Sequence, residues 1–307
     1  MGSAMAGHIL RAGYPVVGYD VLAARRRHHV RAGGTAARSA REVVSRAEAV
    51  ITSLPSASAL LAVAAELAGA PRRRRQGSVR PGTVVIETST LPIATKEKAR
   101  AQLAAAGVTL LDCPLSGTGA QARAKDLVVY VSGPRAACRR VAPIMAAFAR
   151  AHYYVGPFGA GSKTKFVANL LVAIHNVAAA EALVLAMKAG LDPALTLQVV
   201  ADGAGSSRIL QLRGPMMARG DYSDVTMKLD VWQKDMTVIA EFARQIGCPT
   251  PLFATTAPFY TAALASGRGA EDTGAVCAVL EELAHFRRPR RRRNISPAGS
   301  GIILRAK

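Results

Sequence analysis

Acidic side chains are few in this chain of 307 residues: 20 Asp and Glu stand against 40 Lys and Arg, a formal net charge of +20. Cysteine is rarer still. Cys113, Cys138, Cys248 and Cys277 are scattered with no C-x-x-C pair, which argues against a disulfide framework and against a thiolate zinc site. No group of residues has metal-ligand spacing, so no metal is expected. Aromatic residues make up 5% of the chain and do not interleave with the arginine runs, so stacking platforms for bases are lacking. No secretory leader pattern is evident. The expectation is a cytoplasmic protein rich in Ala, Val and Leu, long enough for two domains with substantial cores.

Half of the positive excess sits in two blocks, Arg72 to Arg75 and Arg287, Arg288 with Arg290 to Arg293. Both lie outside the periodic segments, so they read as a solvated loop and a basic, disordered tail over 287–307 rather than as a nucleic-acid surface. The most apolar stretch, Phe166 to Leu185, carries Asn169, His175, Asn176 and Glu181. Those polar groups make it a poor membrane span and a better helix buried between domains.

In the first half, short apolar runs alternate with amphipathic stretches. Val16–Tyr19, Ala49–Ser53, Thr83–Glu87, Val108–Leu111, Leu127–Val131 and His152–Val155 read as strands. Ser3–Arg11, Ala23–Arg31, Ser56–Leu67, Ile93–Ala106 and Arg135–Phe148 read as helices. This order predicts crossover units: an α/β domain with a mostly parallel, doubly wound sheet covered on both faces. From Gly161 onward only helical patterns remain. The chain therefore divides into an α/β domain at 1–158, an all-helical domain at 159–286 and the tail.

The chemistry centres on Gly159 to Asn169. A glycine turn opens a long helix and sets Lys165 and Asn169 four residues apart, on one face. An amine and a carboxamide side by side can take a proton from an alcohol and hold its oxygen. Asp20, after the first apolar run, can accept both hydroxyls of an adenosine ribose and would repel a 2′-phosphate. An aspartate in that position is also an ordinary turn or cap residue.

Several ordered blocks resemble the β-hydroxyacid dehydrogenase family, over Gly2 to about Leu283. Met1-Gly2 with Met5-Ala6 is similar to the end of its dinucleotide turn. Leu54-Pro55 and Ser89-Thr90 are similar to its cofactor loops, and Asp112 to Thr118 to its substrate loop. Gly159 to Asn169 is similar to its catalytic helix, and Lys234-Asp235 to a second lysine pair. Gly205 to Gly214, with Gly220 to Tyr222, looks most like the L-threonate branch.

The resemblance implies a Rossmann-type domain followed by an all-α domain, and hydride transfer between a short hydroxy acid and NAD, with NADP less favoured. It makes Lys165 the general acid/base, its pKa lowered by burial and by Lys163 or Lys234. Ser116, Gly117, Thr118, Asn169 and Lys234 would bind the substrate. Gly2, Asp20, Leu54, Pro55, Thr90 and Lys234 would face the cofactor, and Asp235 would be structural. Trp232 would either wall the pocket or pack in a core. The family is also expected to assemble as homodimers or homotetramers. One departure stands at the start, where relatives carry about ten more residues, including the central first strand and the first glycines of the turn. That departure raises the alternative of a catalytically impaired, dimerising binding module, and the expectation of a miscalled start or a decaying gene.

Overall fold

Burial along Val84-Val85-Ile86 alternates between the two faces of a sheet, the period that an extended chain dictates. Val84 and Ile86 pack into one core and Val85 into another. The computed structural model describes residues 1–69 and 82–288. The arginine block at 72–75 and the stretch 289–307 lie outside them.

The α/β part runs α1 (Gly2–Arg11), β1 (Val17–Gly18), α2 (Ala23–Arg31), β2 (Thr35–Ala36), α3 (Ala40–Arg46), β3 (Ala49–Thr52), α4 (Ala57–Ala68), β4 (Val84–Glu87) and α5 (Ile93–Ala105). It continues with β5 (Thr109–Asp112), β6 (Leu115–Ser116), α6 (Gly119–Arg123), β7 (Val128–Ser132), α7 (Arg135–Phe148) and β8 (Ala151–Gly156). Each element anticipated from periodicity lies within one residue of its expected ends. The elements not anticipated are short: β2, α3, β6 and α6. For α3 a signal existed, because Ser39 caps Glu42 N while the Glu42 carboxylate accepts from Arg38 N, the Ser-x-x-Glu pattern of a helix start.

β3, β4 and β5 are parallel neighbours. The chain then breaks step at Pro114, which has no N–H to give to a ladder. β7 comes back antiparallel to β5 and β6, and β8 pairs in parallel with β7. The short link through α6 accounts for the reversal, since a parallel return requires a longer crossover. β1 and β2 form a separate two-stranded parallel sheet. Among the described residues no ladder joins β1 to β3. Helices α1 and α7 cover one face of the larger sheet around Met5, Ile86, Val129 and Phe148. Helices α4 and α5 cover the other around Leu60, Val85 and Leu103.

The helical part comprises α8 (Ala160–Lys188), α9 (Pro193–Asp202), α10 (Arg208–Arg219), α11 (Leu229–Gln245), α12 (Pro251–Ala265) and α13 (Val276–Leu283). Its core gathers around α8, with Phe166, Ala180 and Leu183 packed among Met217, Trp232, Ile239 and Tyr260. Helix α8 is long and apolar enough to cross a membrane by length and composition, yet one side of it is the centre of this core. Near the end of the described chain, Arg288 corrects the expectation that the stretch from Arg287 packs on nothing. Its guanidinium pairs with Glu281 and donates to the carbonyls of Met217 and Ala218 at the end of α10. The carbonyls at a helix C-terminus attract a cation.

The start of α8 is docked end-on against the sheet. Gly159 takes the left-handed conformation at φ +92°, which glycine adopts without steric cost. Gly161 N donates to Ser132 Oγ at 2.9 Å, and Ser162 N to Asp112 Oδ2 at 2.7 Å. A carboxylate is thus seated on the helix N-terminus, where the orphan N–H groups and the dipole favour it. A Cβ on Gly161 would lie 2.5 Å from the Asp112 carbonyl and 2.6 Å from that of Tyr130. Gly161→Ala should therefore cost about 2–3 kcal/mol through overpacking against fixed backbone, more than the roughly 1 kcal/mol gained in helix propensity. In Gly7→Ala, the new Cβ would meet only the flexible tip of Arg11 at 3.6 Å. Urea unfolding should show the first variant destabilised and the second unchanged or slightly stabilised.

Candidate active site

One and two turns beyond the docked end of α8, Lys165 and Asn169 point to the same side, and both are buried. Helix α11 crosses there and supplies Lys234 and Asp235. The Asp235 carboxylate joins the set: Asn169 Nδ2 donates to Oδ2 at 2.8 Å, and Lys234 Nζ to Oδ1 at 2.6 Å. Lys234 Nζ also reaches the Thr90 carbonyl in the loop after β4, linking the helical part to the α/β part. Lys165 Nζ has no hydrogen-bond partner among the described residues. Burial, the largest influence, brings its pKa down to about 8; Asp235 pulls it upward and Lys234 pushes it down. Of the two lysines expected to act on it, Lys234 does so, whereas Lys163 is exposed.

The loops beside this cluster leave the C-terminal ends of the strands, where open α/β sheets bind ligands. Leu54 N donates to Ser89 Oγ at 2.8 Å, so the loops after β3 and β4 are tied together. Pro55 is exposed beside them. Ser116 at the end of β6 and Gly117 just after it are partly buried, and Gly117 has φ +131°. Thr118 is already occupied. Its hydroxyl caps Gln121 N, and its own N–H donates to Gln121 Oε1 at 3.0 Å, a complete capping box. Ser116 and Gly117 therefore have polar groups to offer an anion, while the Thr118 N–H does not.

Gly2 and Asp20 lie apart from the lysine cluster. Gly2 opens α1, whose end has no side-chain cap, and nothing stands within 4 Å of a Cβ built there. Burial, Arg25 and Arg123 lower the pKa of the Met1 amine, so two guanidinium groups bear on that end of α1. Open N–H groups with cations nearby suit a diphosphate. Asp20 Oδ1 accepts from Leu22 N at 2.9 Å, and Oδ2 faces Arg25 at 3.4 Å. It forms an Asx turn at the head of α2 and still exposes part of its carboxylate. An open helix end with cations nearby and a partly exposed carboxylate are groups that suit a dinucleotide's diphosphate and ribose.

Asp235, expected to be structural, is the carboxylate that Asn169 and Lys234 share. One buried cluster went unread in the sequence. Lys96 on α5 is buried with Glu87 and Asp112, its Nζ 2.7 Å from each carboxylate. Burial works against its charge, but the two acids outweigh burial and its pKa is raised. The available signal was its place in the series Lys96, Ala99, Leu103, the inward face of α5. Trp232 is a core residue, its ring centroid 6.0 Å from that of Tyr260.

Residues 1–156 match the model of the NAD binding domain of 6-phosphogluconate dehydrogenase. Residues 159–280 match the NAD-binding domain of NADP-dependent 3-hydroxyisobutyrate dehydrogenase. The chain is 33% identical to the L-threonate dehydrogenase of Cupriavidus necator, over 91% of this chain and 93% of that one. It is 30% identical to the NAD-dependent L-serine dehydrogenase of Pseudomonas aeruginosa, over 90% and 93% of the two chains. The structure of 3-hydroxyisobutyrate dehydrogenase from Mycobacterium tuberculosis with L-serine superposes with a TM-score of 0.81, at 27% identity over 91% of this chain and 95% of that one. With both halves matched in order and relatives covered almost end to end, the chain belongs to the β-hydroxyacid dehydrogenase family and is an NAD-dependent dehydrogenase of hydroxy acids.

Proposed function

We propose that the chain oxidises the hydroxyl carbon of a short, polar hydroxy acid, or runs the reverse reduction, with Lys165 moving the proton. The observation that carries this reading is a buried amine with a pKa near 8 beside Asn169, Asp235 and Lys234. NAD, when bound, accepts the hydride from the substrate carbon. Neutral Lys165 takes the hydroxyl proton at Nζ as the carbonyl forms; in reduction the protonated amine returns it. Asn169 fixes the hydroxyl, its amide oriented by Asp235. Ser116 and the Gly117 N–H receive the substrate carboxylate, Lys234 adds positive charge, and Thr118 shapes the loop as its cap. On the cofactor side, Gly2 would lie under the diphosphate, Asp20 at the ribose, and Leu54, Pro55 and Thr90 along the nicotinamide half. The L-threonate and L-serine named for the relatives suit such a pocket, both being small, polar and anionic at one end.

On this reading residues 1–158 hold the cofactor, and 159–286 close the substrate side and carry self-association. Val167, Leu171, Ala178 and Leu185 lie exposed along one side of α8, an apolar stripe suited to a second copy of the chain. All four cysteines are free, in keeping with a reducing cytoplasm.

Lys165→Met should cut kcat by about 10²–10⁴-fold, the usual worth of a positioned acid or base, in assays with NAD and L-threonate, L-serine or 3-hydroxyisobutyrate. Its affinity for NAD should stay near that of the parent chain. Retention of kcat would refute the assignment.

The pH profile carries a sign. Oxidation needs the neutral amine, so kcat should rise tenfold per unit below about pH 8 and level off above it. Reduction should show the opposite limb.

Val167→Glu combined with Leu171→Glu should lower the oligomer mass measured by sedimentation velocity. An unchanged mass would exclude this stripe as the interface.

A further inference from the structure

Outside the lysine cluster, the largest concentration of buried charge lies around Lys96, whose side chain is fully enclosed together with those of Glu87 and Asp112. Four active-site segments are joined there, directly or through Ser89 and Asp112. Lys96 Nζ donates to the Ser89 carbonyl at 2.7 Å, while Ser89 N donates to Glu87 Oε1 at 2.9 Å. Ser89 Oγ holds Leu54 N, and the next residue, Thr90, receives Lys234 Nζ. On its other side Lys96 holds Asp112 Oδ1, which also accepts Ser162 Oγ at 2.8 Å. Asp112 Oδ2 accepts Ser162 N. Ser162 lies in the first turn of α8, three residues before Lys165. One ammonium therefore fixes the loops after β3 and β4, the entry to the substrate loop at Asp112, and the end of α8.

A purely hydrophobic side chain at this position would leave two carboxylates facing each other in the interior, which the unpaired charges resist. Of the groups in contact with Lys96, the acids come from β4 and β5 and the carbonyl from the loop after β4; the Ser162 hydroxyl of α8 joins the network through Asp112 Oδ1. We infer that Lys96 is a positioning residue of the hydride-transfer site: it sets the first turn of α8 against the β4 loop and so fixes where the Lys165 amine stands relative to the nicotinamide side. This rests on the proposed role of Lys165. The link runs by two routes, through Asp112 and Ser162 along α8, and through Ser89 and Thr90 to Lys234. The first ends on Lys165 itself, three residues along α8 from Ser162, and the second on Lys234, which pairs with Asp235 of α11. Lys234 and Asp235 are the charged groups that act on Lys165. Loosening either route admits water to Lys165, so its pKa moves up from about 8 toward the value of an exposed amine.

The test compares the full chain with Lys96→Met, Ser162→Ala and Lys165→Met by two readouts. The first is the pH dependence of kcat with NAD and the relatives' substrates. The second is the pH dependence of acetylation of Lys165 by trace acetic anhydride, followed by peptide mass mapping, which needs neither turnover nor substrate. In Lys96→Met, kcat should fall at least tenfold at pH 8, with little change in KM for NAD. The kcat limb and the acetylation midpoint of Lys165 should both rise by half a pH unit or more. Ser162→Ala should move both the same way by a smaller amount, with kcat down about threefold, and it carries the test alone should Lys96→Met not fold. A lowered melting temperature with kcat and acetylation midpoint unchanged, measured well below the melt, would overturn the inference and leave Lys96 purely structural. If Lys165→Met keeps its kcat while the acetylation midpoint still moves in the other variants, the proton-transfer reading fails and the positioning of the amine stands.

Discussion

Everything in this molecule that bears on chemistry depends on how α8 meets the sheet. A 29-residue helix ends its N-terminus on a carboxylate and a hydroxyl supplied by the C-terminal ends of two strands. Asp112 and Ser132 take the N–H groups of Gly161 and Ser162 that a helix end leaves open. The absence of a side chain at Gly161 lets the helix come close enough for those bonds. Once that end is fixed, the 1.5 Å rise and 100° turn of an α-helix dictate where the later side chains stand. Lys165 and Asn169 are aimed by geometry laid down several ångströms away.

Two buried lysines show how neighbours decide the state of one chemical group. Lys96 sits between Glu87 and Asp112 and holds its proton more tightly than an exposed amine. Lys165 is comparably buried but shares its one nearby carboxylate, Asp235, with Asn169 and Lys234, and has a second cation close by. Its pKa falls to about 8. Burial disfavours the charge in both cases; the difference is whether two acids or a divided one answer it. The first arrangement suits a fixed joint. The second suits an amine that changes its protonation near neutral pH, as the proposed mechanism requires.

The scarcity of acids gives weight to those kept inside. Glu87, Asp112, Asp235 and Asp272 are all buried, and each gathers several donors. Asp272 accepts from Thr226, Met227, Gly274 and Arg213, tying the end of the helical part to α10 and to the loop before α11. A buried carboxylate left without partners costs several kcal/mol, so each one fixes the backbone that supplies its donors. The surplus arginines behave differently: many are exposed, and Arg288 finds a place because the end of α10 offers carbonyl acceptors at Met217 and Ala218 and Glu281 a counter-charge.

The sequence by itself determined the alternation of strands and helices, the helical second half, and the pairing of Lys165 with Asn169, because these follow from local periodicity. It also carried the family resemblance that the comparisons bear out. It could not determine that β7 returns antiparallel, that β1 and β2 stand as their own sheet, or that Thr118 spends its N–H on a capping box. Nor could it join Lys96 to Glu87, Asp112 and Ser162, or Asn169 to Asp235, partners separated by 66 positions. Periodicity records which face of an element turns inward. Which polar groups then meet, and so which lysine is charged and which is poised, depends on packing between elements distant in the chain, and that is decided only when the fold closes.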